Sequence, residues 1–256
     1  MKLKIAFLAV TATSLLAACG GELLESESAP AVEVTANDTH SWAGYHWART
    51  SNPFTLKLGD NVTAQWDGIL DTSVTDWTSS NVLDVTKVAG AAKGRCRPTP
   101  GRVEICNDTY GANGWLGIAQ IWLSGGHISQ GTVKLNDTYY NTAQYNTPAW
   151  RNMVMCQEIG HTFGLDHQDE VFANANLGTC MDYTNDPSTN QHPNNHDFAM
   201  LQDIYQHVDA TTTVGASAPN GNAGEAPAWG QQVDDHTFVN DLANGTKVVT
   251  FVVWVP

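Results

Sequence analysis

The chain has 256 residues, 42% of them hydrophobic and 15% charged, with a formal net charge of −14. That length suits one sizeable domain with an appendage. An acidic surface repels nucleic acid and anionic lipid, so neither is an expected partner, and the carboxylates match no EF-hand loop or glycine-rich calcium-binding repeat.

Residues 1 to 18 read as an export signal and not as part of the fold. Lys2 and Lys4 make a positive start, and the apolar run from Ile5 is too short to span a bilayer. The run ends in Leu16-Ala17-Ala18-Cys19, which resembles the lipobox of bacterial lipoproteins. The resemblance implies that Cys19 is lipidated and becomes the first residue of the mature chain. It would anchor the protein in the bacterial cell envelope, facing outside the cytoplasm. Ordinary secretion after a small-residue cleavage site is the alternative. Loss of residues 1 to 18 removes two lysines and no acid, which brings the net charge near −16. Five cysteines are odd for an exported chain, and an acylated Cys19 leaves Cys96, Cys106, Cys156 and Cys180. Four cysteines allow three pairings. Cys96–Cys106, closing a short loop around Pro98 and Pro100, together with Cys156–Cys180, is the favoured one, and both suit an oxidising compartment.

Residues 19 to 39 are acidic, poor in aromatics and aperiodic, and read as a flexible spacer or a short inhibitory propeptide. From 40 to 210 the composition is that of a globular domain. Phe54 to Trp66 alternates apolar and polar residues and predicts a strand. Residues 69 to 90 carry Leu70, Val74, Trp77, Val82, Leu83 and Val88 at spacings that suit either helix or strand. Arg102 to Ile105 predicts a short strand; Gly117 to Leu123 and Gly131 to Asn136 predict two more around a turn at Gly125-Gly126. A helix follows, with Thr147 as its cap, Pro148 at its first position, and Trp150, Met153, Val154, Ile159 and Phe163 on one stripe. Phe198, Leu201, Ile204 and Tyr205 predict a second helix from Asn195 to His207. Residues 211 to 224 read as a linker, and 225 to 256 as a β segment, notably β-branched from Thr246 to Val255. That segment is either a strand pair packed on the domain or a small separate module.

The first of these helices contains Gln157-Glu158-Ile159-Gly160-His161-Thr162-Phe163-Gly164-Leu165-Asp166-His167. In the zinc motif H-E-x-x-H, two ligands share a helical face and the glutamate between them acts as general base. Here Gln157 takes the place of the first histidine. A zinc enzyme uses three protein ligands and leaves a fourth position for water, whose proton a nearby carboxylate removes. Gln157, His161 and His167 are the candidate ligands and Glu158 the candidate base. The amide oxygen of Gln157 has the reach of an imidazole Nε2 but is a harder and weaker donor to zinc. Gln157 is thus either a direct ligand or a hydrogen-bonding neighbour, with His192 or His196 as replacement ligand. Otherwise His127, His192, His196 and His207 read as surface or capping residues, and Trp42 and Trp47 as packing.

With Gly164 and His167 the motif resembles that of the metzincin metalloproteases, H-E-x-x-H-x-x-G-x-x-H. The resemblance covers roughly residues 50 to 210. The stretches MCQEIGHTFGLDHQDE, TCMDY and HPNNHDFAMLQDIY are similar to an exported subgroup in which glutamine regularly replaces the first histidine. This implies an α+β fold: a twisted mixed β-sheet, an active-site helix, a methionine turn beneath the metal and a C-terminal helix. Met181 would occupy that turn, though alone it would be core filler. Tyr183, two residues on, would either stabilise the oxyanion or be a buried, hydrogen-bonded tyrosine. The family binds substrate on an edge strand upstream of the site helix, here Gly117 to Leu123, with Gly117, Ile118, Ala119 and Gln120 as contacts. The expected activity is a zinc-dependent endopeptidase, monomeric, acting on protein or peptide and touching the membrane only through its lipid. The alternatives are a non-catalytic metal- or peptide-binding lipoprotein derived from a protease, which has no need of Glu158, and a metal-dependent hydrolase of some other substrate, for which no feature selects.

Overall fold

The computed structural model describes residues 39–91, 95–216, 228–242 and 245–256. The expected signal peptide, Cys19, nearly all of the spacer and part of the linker lie outside them.

The described residues form an α+β fold with one nine-stranded mixed sheet. In β2 (Phe54–Asn61), Phe54, Leu56 and Leu58 are buried while Thr55 and Lys57 are exposed, the alternation of a strand with one apolar face. The strand ends earlier than its sequence pattern predicts. Trp66 belongs to α1 (Ala64–Trp77), where Trp66, Leu70, Ser73 and Trp77 are buried at helical spacing. That three-to-four periodicity overrides the local alternation. β3 (Leu83–Ala89) completes a β-α-β unit by pairing parallel to β2, and β4 (Val103–Asp108) pairs parallel to β2 on its other side. β5 (Trp115–Ser124) and β6 (His127–Asn136) form a hairpin through Gly125 and Gly126. A two-residue β1 (His46–Trp47) pairs with the start of β6.

A short α2 (Asp137–Tyr140) leads to α3 (Pro148–His161). The Thr147 side chain accepts a hydrogen bond from the Trp150 N–H, and Pro148 fills the first helical position, where no N–H partner is needed. α3 packs against α1 and β5, so its residues from Met153 to His161 are all buried. α4 (Asn195–Ile204) begins in a reciprocal capping box between Asn194 and Asp197. It stops at Ile204, short of the expected His207, because the Tyr205 carbonyl turns aside to accept from Asn52 and Arg49.

The C-terminal residues extend the same sheet. β7 (Gln231–Gln232), β8 (Thr237–Asp241) and β9 (Thr246–Trp254) give the order β3-β2-β4-β6-β5-β9-β8-β7, and β9 runs antiparallel to β5. β5 is buried at every position from Trp115 to Leu123, as befits a strand covered on both faces and paired on both edges. No described helix is long and apolar enough to cross a membrane.

Candidate metal centre

Gln157, Glu158 and His161 project from the last turns of α3, with Gln157 and His161 four residues apart on one face. The chain then turns back at Gly164, whose φ of +99° a side chain would strain, and whose missing Cβ leaves room for the Tyr45 carbonyl. Two backbone hydrogen bonds pin the turn to the start of the domain, Trp42 N–H to the Gly164 carbonyl and Asp166 N–H to the His40 carbonyl. His167 is thereby returned to His161, with ring centroids 4.6 Å apart and planes perpendicular.

Each imidazole is oriented through Nδ1. In His161 it faces the Leu165 carbonyl at 2.9 Å, and in His167 the Glu170 carboxylate at 2.9 Å. A neutral imidazole that donates from Nδ1 presents a lone pair at Nε2, the form in which histidine binds metal. Both Nε2 atoms are buried and make no hydrogen bond, and the same holds for both amide atoms of Gln157 and both carboxylate oxygens of Glu158. An unsatisfied buried polar atom costs about 1–3 kcal/mol, so six in one place call for a partner. Two imidazole nitrogens and an amide oxygen suit a divalent ion of the zinc class.

Burial pushes the His161 pKa well below its ordinary value, with His167 adding to the effect. Burial also brings His167 down to about 3, helped by His236. Both rings are therefore held neutral, ready for a cation. The Glu158 carboxyl is driven well above the usual range by burial. The N–H groups of Val253 and Ala119 face it and oppose that rise without reaching hydrogen-bond geometry.

Cys156 of α3 is bonded to Cys180, and Cys96 to Cys106. The first bond holds the turn of Gly178 to Tyr183 beneath α3, where the Met181 sulfur lies so close to Gly160 that a Cβ there would meet it at 2.6 Å. The Met181 carbonyl accepts from the Gln168 N–H at 2.6 Å, which ties this turn to the segment after His167. The Tyr183 ring lies 4.5 Å from that of His167, and its hydroxyl donates to the Val252 carbonyl at 3.1 Å.

The expected edge strand is not an edge. Gly117, Ile118, Ala119 and Gln120 pair with Leu135, Lys134, Val133 and Thr132 of β6, and on the other side with Val253, Val252, Phe251 and Thr250 of β9. The β-branched C-terminal run supplies a strand partner from more than a hundred residues away. Gly117 nonetheless lies against the site: a Cβ on it would come within 2.5 Å of the Glu158 carboxylate and of Val154. Phe251 covers His161, its ring stacked at 4.3 Å.

His192 and His196 do not join the set: the first pairs with Asp76 at 2.7 Å and the second stacks on His40. Sequence reasoning passed over Glu170, which orients His167, and His236, whose ring lies 4.2 Å from that of Tyr183. Glu170, three residues after His167, follows the carboxylate–imidazole pattern of metal sites and was open to recognition. No local pattern marks His236.

No protein-family model matches the chain, and no curated protein matches it. Among solved structures it is similar to myroilysin, in two structures at 9% identity and a TM-score of 0.36 that cover 62% of this chain and 82% and 86% of theirs. It is also similar to high choriolytic enzyme 1, a hatching-enzyme zinc-protease of the medaka fish Oryzias latipes, at 8% identity and a TM-score of 0.35 over 66% of this chain and 99% of that one. Superpositions this loose carry no argument, and the functional reading stands on the chain's own residues.

Proposed function

We propose that this protein is a zinc-dependent endopeptidase of metzincin type, with Gln157, His161 and His167 as metal ligands. The observation that carries the proposal is the group of buried, unpartnered donor atoms on Gln157, His161 and His167 beside an equally unpartnered Glu158 carboxylate. Zinc, when bound, supplies a Lewis acid and lowers the pKa of water to about 7. Glu158 is the general base; its unpartnered carboxylate, next to the ligand Gln157 in α3, takes a proton from the attacking water and passes it on. Tyr183 donates a hydrogen bond to the carbonyl oxygen as negative charge develops there, the kind of bond its hydroxyl already makes to Val252. Met181 and the Cys156–Cys180 bond form the supporting methionine turn.

Peptide is the substrate class because an extended chain lying antiparallel on β5 passes directly over Glu158. β9 now takes that position, with the Val252 carbonyl on Tyr183 and the Val253 N–H toward Glu158. The described state is therefore latent, and hydrolysis requires β9 to withdraw. A lipid anchor at Cys19, placement outside the cytoplasm and a monomeric state belong to the same proposal.

The covered cleft favours one other reading, a non-catalytic metal-binding lipoprotein in which β9 is permanent. Cleavage of unfolded casein by the zinc-loaded chain, with chelator, with zinc restored and with Glu158→Gln, separates the two. Run also on Phe251→Ala, which loosens the β9 cover, the endopeptidase shows turnover that is lost to chelator and to Glu158→Gln; the binding protein shows none under any condition, Phe251→Ala included.

A further inference from the structure

His127 and His207, which the sequence presents as surface residues, converge with His46 on a single carboxylate oxygen. The Nε2 atoms of His46, His127 and His207 lie 3.5, 3.3 and 3.7 Å from Oδ1 of Asp209. His46 and His127 are direct partners across the β1–β6 pair, and their rings meet edge to face at 4.9 Å. The His207 ring meets that of His46 at 4.8 Å from another side. The donor atoms of His46, His127 and Asp209 all lie within 4.8 Å of one another.

The surroundings hold these groups in place. Oδ2 of Asp209 is occupied by the Arg49 guanidinium at 3.0 Å and the Arg49 backbone N–H at 3.1 Å, which leaves Oδ1 to face the imidazoles. His46 is only 9% exposed, and its Nδ1 bonds the Gly44 carbonyl at 2.8 Å. A neutral ring that donates there turns a lone pair, from Nε2, toward the carboxylate oxygen. That buried Nε2 makes no hydrogen bond. A second ring proton or a metal ion satisfies that contact, and only a metal ion draws in His127 and His207 as well. Donors about 2.1 Å from a tetrahedral zinc lie about 3.4 Å apart, which is the spacing found between Oδ1 and the three nitrogens.

We infer that His46, His127 and Asp209 form a second divalent-metal site of the zinc class that shares no residue with the centre on α3, and that the half-exposed His207 turns in as its fourth donor. Four protein donors leave no open position, so the site is structural. It joins three stretches distant in sequence: β1 at the start of the domain, the β5–β6 turn, and the segment after α4. Imidazole nitrogens favour zinc over magnesium or calcium.

The test is equilibrium dialysis of the metal-stripped full chain against zinc sulfate, with cobalt(II) absorption reporting tetrahedral coordination. His127 is half-exposed, so His127→Ala and His207→Ala spare the core; circular dichroism checks that His161→Ala is folded. We expect His161→Ala to keep one tetrahedral metal and a zinc-induced rise in Tm. Adding His127→Ala and His207→Ala should remove both, weakening binding by more than the roughly hundredfold that loss of an outer-shell partner costs at most. A folded His161→Ala chain that binds no zinc overturns the inference, as does zinc uptake untouched by His127→Ala and His207→Ala. A wild-type chain that binds a single zinc, lost with His127 and His207 but kept in His161→Ala, upholds this site and sinks the proposed catalytic centre.

Discussion

If β9 is a removable cover, Phe251→Ala should raise activity while lowering stability. Phe251 is fully buried, stacked on His161 at 4.3 Å and edge-on to Trp42 at 5.8 Å. Truncating such a ring costs about 3–5 kcal/mol. A state in which β9 has left β5 does not contain those contacts, so the loss falls mainly on the closed form. At about 1.4 kcal/mol per factor of ten, the lower figure raises the open population roughly a hundredfold. Initial rates of casein cleavage by the zinc-loaded variant should rise in proportion, until β9 is open most of the time. Leu70→Ala on α1 is the control. It removes another fully buried side chain at a cost of about 2–5 kcal/mol and should lower Tm with no gain in rate. A Phe251→Ala protein with a lower Tm and an unchanged or lower rate would refute the reasoning and make β9 a permanent strand.

Gln157→His should tighten zinc at the α3 centre by roughly tenfold, or about 1.4 kcal/mol, because imidazole is the stronger donor. Competition with a chromophoric chelator measures this, and an unchanged constant would mean that Gln157 does not touch the metal. Replacing both Cys156 and Cys180, 24 residues apart, by alanine should cost about 3.5 kcal/mol if the bond acts by restricting the unfolded chain. A loss below about 1 kcal/mol in urea unfolding contradicts that. Burial lowers the His167 pKa to about 3, so as pH falls the unfolded chain takes up a proton near pH 6.5 and the folded chain does not. Stability from this group is thus full above the unfolded value and is lost as pH falls toward the folded one. In chelator, wild type should lose about 1.4 kcal/mol more than His167→Gln between pH 7.5 and 5.5. Equal losses would show that His167 is not held neutral.

Local pattern carries part of this molecule well. The Thr147-Pro148 start and apolar stripe of α3 are read from adjacent residues, as are the β5–β6 hairpin and the spacing of Gln157, Glu158, His161 and His167. Trp66 misleads because it fits both the alternation of β2 and the first turn of α1, and only packing beside Leu70 decides. The partner of β5 is hidden for a different reason. A strand's apolar, β-branched character marks Thr246 to Val255 as β but not whose edge it takes, and that choice is non-local. His46, His127, His207 and Asp209 are likewise scattered over more than 160 positions, and each alone resembles an ordinary surface residue. The chemistry of a lone histidine is set by what the fold places opposite its free nitrogen.

The central claim, that Gln157, His161 and His167 hold a zinc ion, is tested most directly by zinc content in a chain whose second candidate site has been removed by His127→Ala and His207→Ala. One zinc per chain is predicted, lost when His161→Ala is added. No zinc at all, or zinc that survives the loss of His161, would contradict the account.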